Sequence, residues 1–354
     1  MIDGVKGKFF EDFKENDVFT SRGRTVTEPD VVQFVNSAWY INPRCTDAEF
    51  VKRGYSWNGV QLHHRIAPPP LGTFYAAGLS ASIGVLSDTL MAVLGTTWRA
   101  PGAIAIGDTI HLRQRVVSKS ETSEVDRGIV VFEMEVFNQK GELVNNDQLT
   151  CLVARRGPAA NSLVSAPYFF ATVEDLTERW TCPAKSSGER HQAKMESQYF
   201  EDFKVGDAFD TRARTVTETD VTGLAALTWD HHPLYTDAEY ASSTPFQGRI
   251  APPLLGIAFA VGLDAPLAMA AGTCLGFTHT YWRFHGPIKI GETISLEQTI
   301  GACEVQDDRT GLVTIDMEMV NQHGGKSISG TRYMLVTRKP TTADSPSSGP
   351  MAWH

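Results

Sequence analysis

The apolar and polar positions of this chain fall into one pattern that occurs twice. A short segment with the polar RTVTE run near its end (from Arg24 and again from Arg214) leads into an apolar stretch at helical spacing. The Thr and Asp residues of TVTEPDV and TVTETDV are good helix starters, so a helix is predicted from each, ending near the Pro43 or Pro233 turn. Next comes an IAPP turn and then PLGTFYAAGL or PLLGIAFAVGL. These stretches are apolar almost all round and rich in Gly and Ala, which predicts buried helices that a sheet can approach closely. The last third of each pattern alternates like strands. GDTIHLRQRVVSKSETSEVDRGIVVFEMEVFNQKGELVNNDQLTCLVARR, from Gly107, has turn signals at DRG and NQKG; the second pattern has them at DDRTG and NQHGG.

The two patterns are copies. From Phe9 and from Tyr199, 15 of 23 positions are identical without a gap. The register holds through NPRCTDAEF and HPLYTDAEY and then, after a six-residue excess in the first copy, through RIAPPPLG and RIAPPLLG. The predicted organisation is a first domain over 1–157, a linker over 158–198, a second domain over 199–339 and a disordered tail over 340–354. Within the linker, APYFFATVEDLTERW could form a helix with an aromatic face. Each unit reads as a buried helix followed by an antiparallel sheet folded around it, an α+β arrangement.

Composition narrows the function classes. The chain has 32 basic and 41 acidic side chains, a net charge of −9, so nothing favours a phosphate backbone as partner and no nucleic acid is expected. No apolar run approaches the roughly 20 residues of a membrane helix; LLGIAFAVGLDAPLAMAAG is broken by Asp264 and Pro266. With no secretion signal at the N-terminus and five cysteines without CxxC spacing, a cytoplasmic protein with reduced thiols and no zinc site is expected.

The string RTVTExDV, then TDAE, then RIAPP before the central helix, then WR with GP-I-x-I-G-E or its first-copy equivalent, resembles the MaoC-like dehydratases, the (R)-specific enoyl-CoA hydratase group with the hot dog fold. The resemblance covers nearly all of both copies and implies two tandem hot dog domains, each an antiparallel sheet wrapped around a long central helix. It implies a hydro-lyase acting on an enoyl or 3-hydroxyacyl thioester. Acyl-CoA would be the substrate, with no resident cofactor, and a homo-oligomer, at its simplest a homodimer, is expected.

The family motif is an Asp followed five residues on by a His, with Asn-Pro between; the pair activates one water. A backbone N–H at the start of the central helix polarises the thioester carbonyl. The second copy reads Asp230-His231-His232-Pro233-Leu234-Tyr235. Asp230 keeps the acid, Tyr235 replaces the motif His, and His232 stands where Asn is usual. The first copy has Tyr40, Asn42 and Cys45 at these places and is expected to be inactive. The usual helix-start Gly is Pro253, which has no N–H, so Leu254 or Leu255 is the expected donor. The resulting candidates are Asp230, His232, Tyr235 and His231 for catalysis, with Arg249, Pro253, Leu254, Leu255 and Gly256 for substrate. For each a plainer reading stands beside it: Asp230 as a turn residue, Tyr235 as packing, Arg249 as half of a duplicated salt bridge with Arg65. Two further readings compete with the hydratase: a non-catalytic acyl-thioester-binding subunit, and a diverged thioesterase or cyclase.

Overall fold

The computed structural model describes residues 7–57, 60–157, 190–192, 199–244, 246–264 and 273–339. The expected linker helix and the 340–354 tail lie outside the described residues.

The first copy runs β1 (Val18–Thr20), β2 (Arg24–Thr25), α1 (Glu28–Ala38), α2 (Pro43–Thr46), α3 (Ala48–Lys52), β3 (Tyr55–Trp57), β4 (Val60–Leu62), α4 (Pro69–Ile83), β5 (Leu90–Arg99), β6 (Thr109–Glu121), β7 (Arg127–Phe137) and β8 (Leu143–Ala154). A short β9 (Arg190–Gln192) follows. The second copy runs β10 (Ala208–Asp210), β11 (Arg214–Thr215), α5 (Glu218–Thr228), α6 (Pro233–Thr236), α7 (Ala238–Ser242), α8 (Pro253–Leu263), β12 (Cys274–Phe284), β13 (Thr293–Val305), β14 (Thr310–Asn321) and β15 (Lys326–Thr337). The six-residue excess of the first copy falls where it builds the β3–β4 hairpin, which pairs Tyr55 with Leu62.

Local chemistry explains the shared elements. Thr27 and Thr217 begin α1 and α5 with capping boxes closed by Asp30 and Asp220. The Asp of each TDAE motif caps the next short helix: Asp47 Oδ1 accepts the Phe50 N–H and Asp237 Oδ1 the Tyr240 N–H, both at 2.9 Å. The central helices α4 and α8 are buried nearly all round, as their composition predicts.

The long strands form one sheet in the order β6-β7-β8-β5-β12-β15-β14-β13, with the two halves joined by antiparallel pairing of β5 and β12. Gly95 faces Arg283 and Trp98 faces Thr280 across this seam. The sheet is thus antiparallel through both copies, and each half covers a central helix. This is the α+β, double hot dog architecture.

The copies also grip each other through the helices. Gln33 of α1 donates to the Gly223 carbonyl of α5 at 2.7 Å. A Cβ on Gly78 of α4 would lie 1.5 Å from the Thr228 carbonyl oxygen, and one on Gly262 of α8 would lie 1.6 Å from the Ala38 carbonyl oxygen. Only glycine lets each central helix touch the C-terminal end of the other copy's α5 or α1.

Candidate active site between the copies

Helix α5 ends on Trp229, whose φ of 66° puts it in the left-handed region. The chain then turns sharply and delivers Asp230. The Asp230 N–H donates to Thr228 Oγ1 at 3.3 Å, and the Thr228 hydroxyl donates to the Leu224 carbonyl at 2.9 Å. Burial lifts the Asp230 carboxyl to about 6, while the backbone N–H of His232 holds it back from rising further.

His232 also has a structural part. It is the N-cap of α6, and its Nδ1 accepts the Leu234 N–H at 3.2 Å. Burial lowers its imidazole to about 4, so the ring is neutral near pH 7. A neutral ring that accepts at Nδ1 carries its proton on Nε2 and is a donor there. His232 was expected to activate water with Asp230; in this tautomer the ring nitrogen left for a substrate or water is a donor. Asn42 does the same work in the first copy, its Oδ1 accepting the Arg44 N–H at 3.0 Å.

Tyr235 is buried, with its ring centroid 5.6 Å from that of His232. Tyr240 completes the aromatic wall at 6.4 Å from His232 and lies within electrostatic reach of Asp88 of the first copy. Sequence reasoning missed Tyr240, although it ends the matched TDAEY string. His231 is exposed, and its carbonyl accepts weakly from Thr236 Oγ1 at 3.4 Å.

Arg249 ion-pairs with Glu218 and reaches the Tyr235 carbonyl at 3.4 Å; Arg65 pairs with Glu28 at 2.7 Å in the same way. Arg249 and Arg65 thus form the same brace in the two copies. Pro253 begins α8, and the Leu255 N–H is already donated to the Pro252 carbonyl at 2.8 Å. The Leu254 N–H, one of the first-turn amides a helix cannot satisfy itself, is left as the expected donor. Gly256 has a packing reason: a Cβ there would lie 2.1 Å from Ile328 Cδ1.

The first copy packs against the residue that precedes Asp230. The Arg24 guanidinium lies 4.0 Å from the Trp229 ring and 4.4 Å from the Tyr75 ring, while pairing with Asp30 at 3.2 Å. Around the matching position of the first copy, Tyr40 and Cys45 are buried, and Asn42 donates to the Tyr40 hydroxyl at 3.3 Å. Burial pushes the Cys45 thiol up to about 12, which removes it as a nucleophile near neutral pH. No cluster of three metal-ligating side chains occurs among the described residues, and no helix among them is long and apolar enough to cross a membrane.

An antiparallel sheet shared by two helix-wrapping halves defines a double hot dog protein. Residues 202–322, within the second copy, match the family model described as MaoC like domain. An (R)-specific enoyl-CoA hydratase of Rhodospirillum rubrum is 29% identical over 102 residues, 29% of this chain and 69% of that protein. A MaoC domain protein dehydratase of Chloroflexus aurantiacus superposes with a TM-score of 0.76 at 19% identity, covering 96% of this chain and 100% of the other. A Mycobacterium tuberculosis protein with a double hotdog fold superposes with a TM-score of 0.64 at 14% identity, covering 94% and 98%.

Proposed function

We propose that the chain hydrates 2-enoyl thioesters, or dehydrates 3-hydroxyacyl thioesters, with acyl-CoA as the substrate and Asp230 as the single general base. The observation that carries this is the Asp230 carboxyl, lifted by burial to about 6 and held where the two copies meet. A base is most effective when its pKa lies near the working pH.

In the hydration direction Asp230 takes a proton from water as the water oxygen bonds to C3. The π electrons move to the thioester oxygen as an enolate, which the Leu254 N–H stabilises. The carbonyl then re-forms, and C2 takes the proton back from Asp230. His232 stays neutral and presents an Nε2 donor, while Tyr235 and Tyr240 wall the site.

A second reading has its own observations. Tyr235 in place of the motif His and Pro253 in place of the amide-bearing Gly favour a subunit that binds acyl thioesters without turning them over. A panel of 2-enoyl-CoA thioesters of increasing chain length, followed by loss of the conjugated absorbance, separates the two. Turnover that falls by about 10²–10⁴ in Asp230→Asn supports the hydratase. Tight binding of every thioester without turnover supports the second reading.

A further inference from the structure

The repeat places different side chains at equivalent positions behind Tyr40 and behind Asp230. Behind Tyr40 the second copy places Arg332 of β15, Asp264 at the end of α8 and Gln298 of β13. Arg332 is 2% exposed and Asp264 1%, and they form an ion pair. Gln298 Nε2 donates to Asp264 Oδ1, Arg332 lies 4.6 Å from the Phe277 ring, and its charge acts on Tyr40. The space behind Tyr40 is therefore filled by a buried ion pair.

Strand register identifies the same positions opposite Asp230. Trp98 pairs with Asp147 as Trp282 pairs with Gly330, so Leu149 stands where Arg332 does. Arg115 pairs with Val18 as Thr299 pairs with Ala208, so Gln114 matches Gln298. Counting along α4 and α8 from Pro69 and Pro253, Ser80 matches Asp264. The ion pair is thus replaced by Leu149 and Ser80, and Gln114 has lost its carboxylate. Ser80 Oγ donates to Gln114 Oε1 at 2.7 Å. Gln114 is fully buried, and its Nε2 has no hydrogen-bond partner among the described residues. An unmade bond at a buried amide costs free energy that a bound acceptor can recover.

Building on the hydratase reading, we propose that the space behind Asp230 ends on Gln114 and selects thioesters whose acyl chain carries a neutral hydrogen-bond acceptor, a ketone or hydroxyl oxygen, beyond C3. A distal carboxylate is disfavoured, because this space has lost the arginine that would neutralise it.

The test uses saturated thioesters, which cannot be hydrated, so its result is independent of turnover. Calorimetric titration of the full chain with hexanoyl-CoA and 5-oxohexanoyl-CoA should show the keto thioester binding about tenfold more tightly, the worth of one buried hydrogen bond. Gln114→Leu should abolish that difference. So should Ser80→Asp, which returns to Gln114 the carboxylate it has in the second copy and guards against a folding defect in the first variant. Equal affinities in the unaltered protein, as expected if only a buried water satisfies the amide, would overturn the proposal. So would a difference that survives both variants, or failure of both thioesters to bind. Absence of enoyl turnover with the binding difference intact would sink the hydratase reading alone.

Discussion

Arg24 of the first copy stacks on Trp229 of the second, one residue before Asp230, at 4.0 Å. The mirror relationship is Arg214 on Trp39 at 4.2 Å, one residue before Tyr40. Both tryptophans hold a positive φ that a bulky side chain rarely adopts, 66° and 63°, so each needs a partner to keep it there. The two clamps look alike, yet only the first borders the acidic site. Arg24→Lys and Arg214→Lys keep the charge and lose the planar stack. Each should destabilise the fold by about 1–2 kcal/mol in chemical denaturation. Only Arg24→Lys should also lower kcat on a 2-enoyl thioester, by several-fold. Equal kinetic losses in both variants would show that the effect is global and that Trp229 does not position Asp230.

His232 and Asp230 predict a pH profile with one acidic limb. Asp230 acts as a base only when ionised, so kcat/KM should rise with pH through about 6 and then level. His232, held near 4, should add no limb around neutrality. Asp230→Asn should abolish the limb together with activity. His232→Asn should keep activity within a few-fold, because Asn is the better cap and fills that role at Asn42. His232→Ala should cost about 1 kcal/mol of stability through the lost cap. A bell-shaped profile, or loss of activity in His232→Asn, would return the imidazole to the chemistry.

Much of this was legible in the sequence because the repeat is local and linear. The starts of α1 and α5, the buried α4 and α8 and the alternating strands follow from residue type and spacing. So does the position of Asp230, since the copies diverge at that motif. The cap role of His232 was readable from its alignment with Asn42, but an imidazole in a DHHP string suggests acid–base chemistry more readily than a backbone contact. Contacts between copies were not readable. Gly78 against Thr228 and Arg24 against Trp229 join residues far apart in the chain, and their only trace is that Gly262 and Arg214 repeat them. The use of the six extra residues was hidden for the same reason: a length difference locates an insertion and says nothing of the β3–β4 hairpin it completes.

Asp147 sits fully inside the first half-sheet with neutral partners. Thr73 Oγ1 donates to its Oδ1 at 3.2 Å, Asn145 Nδ2 donates to its Oδ2 at 2.8 Å, and Trp98 Nε1 fixes Asn145 by donating to Oδ1 at 2.8 Å. Burial without a cation raises this carboxyl well above its usual range, so the fold favours its protonated form. The folded pKa lies above the unfolded one. Its contribution is therefore fully present below the ordinary carboxylate value of about 3.9 and is lost as pH rises towards the folded value. In the protonated acid the O–H can turn to Thr73 Oγ1 while the other oxygen still accepts from Asn145. An asparagine reproduces that pattern, its amide N–H directed at Thr73 and its oxygen at Asn145. Asp147→Asn should therefore match the unaltered protein near pH 4. Above that its advantage should grow by about 1.4 kcal/mol per pH unit until the folded carboxyl ionises. Urea denaturation at a series of pH values measures this directly. A variant less stable at every pH would mean that the buried group is held as a carboxylate.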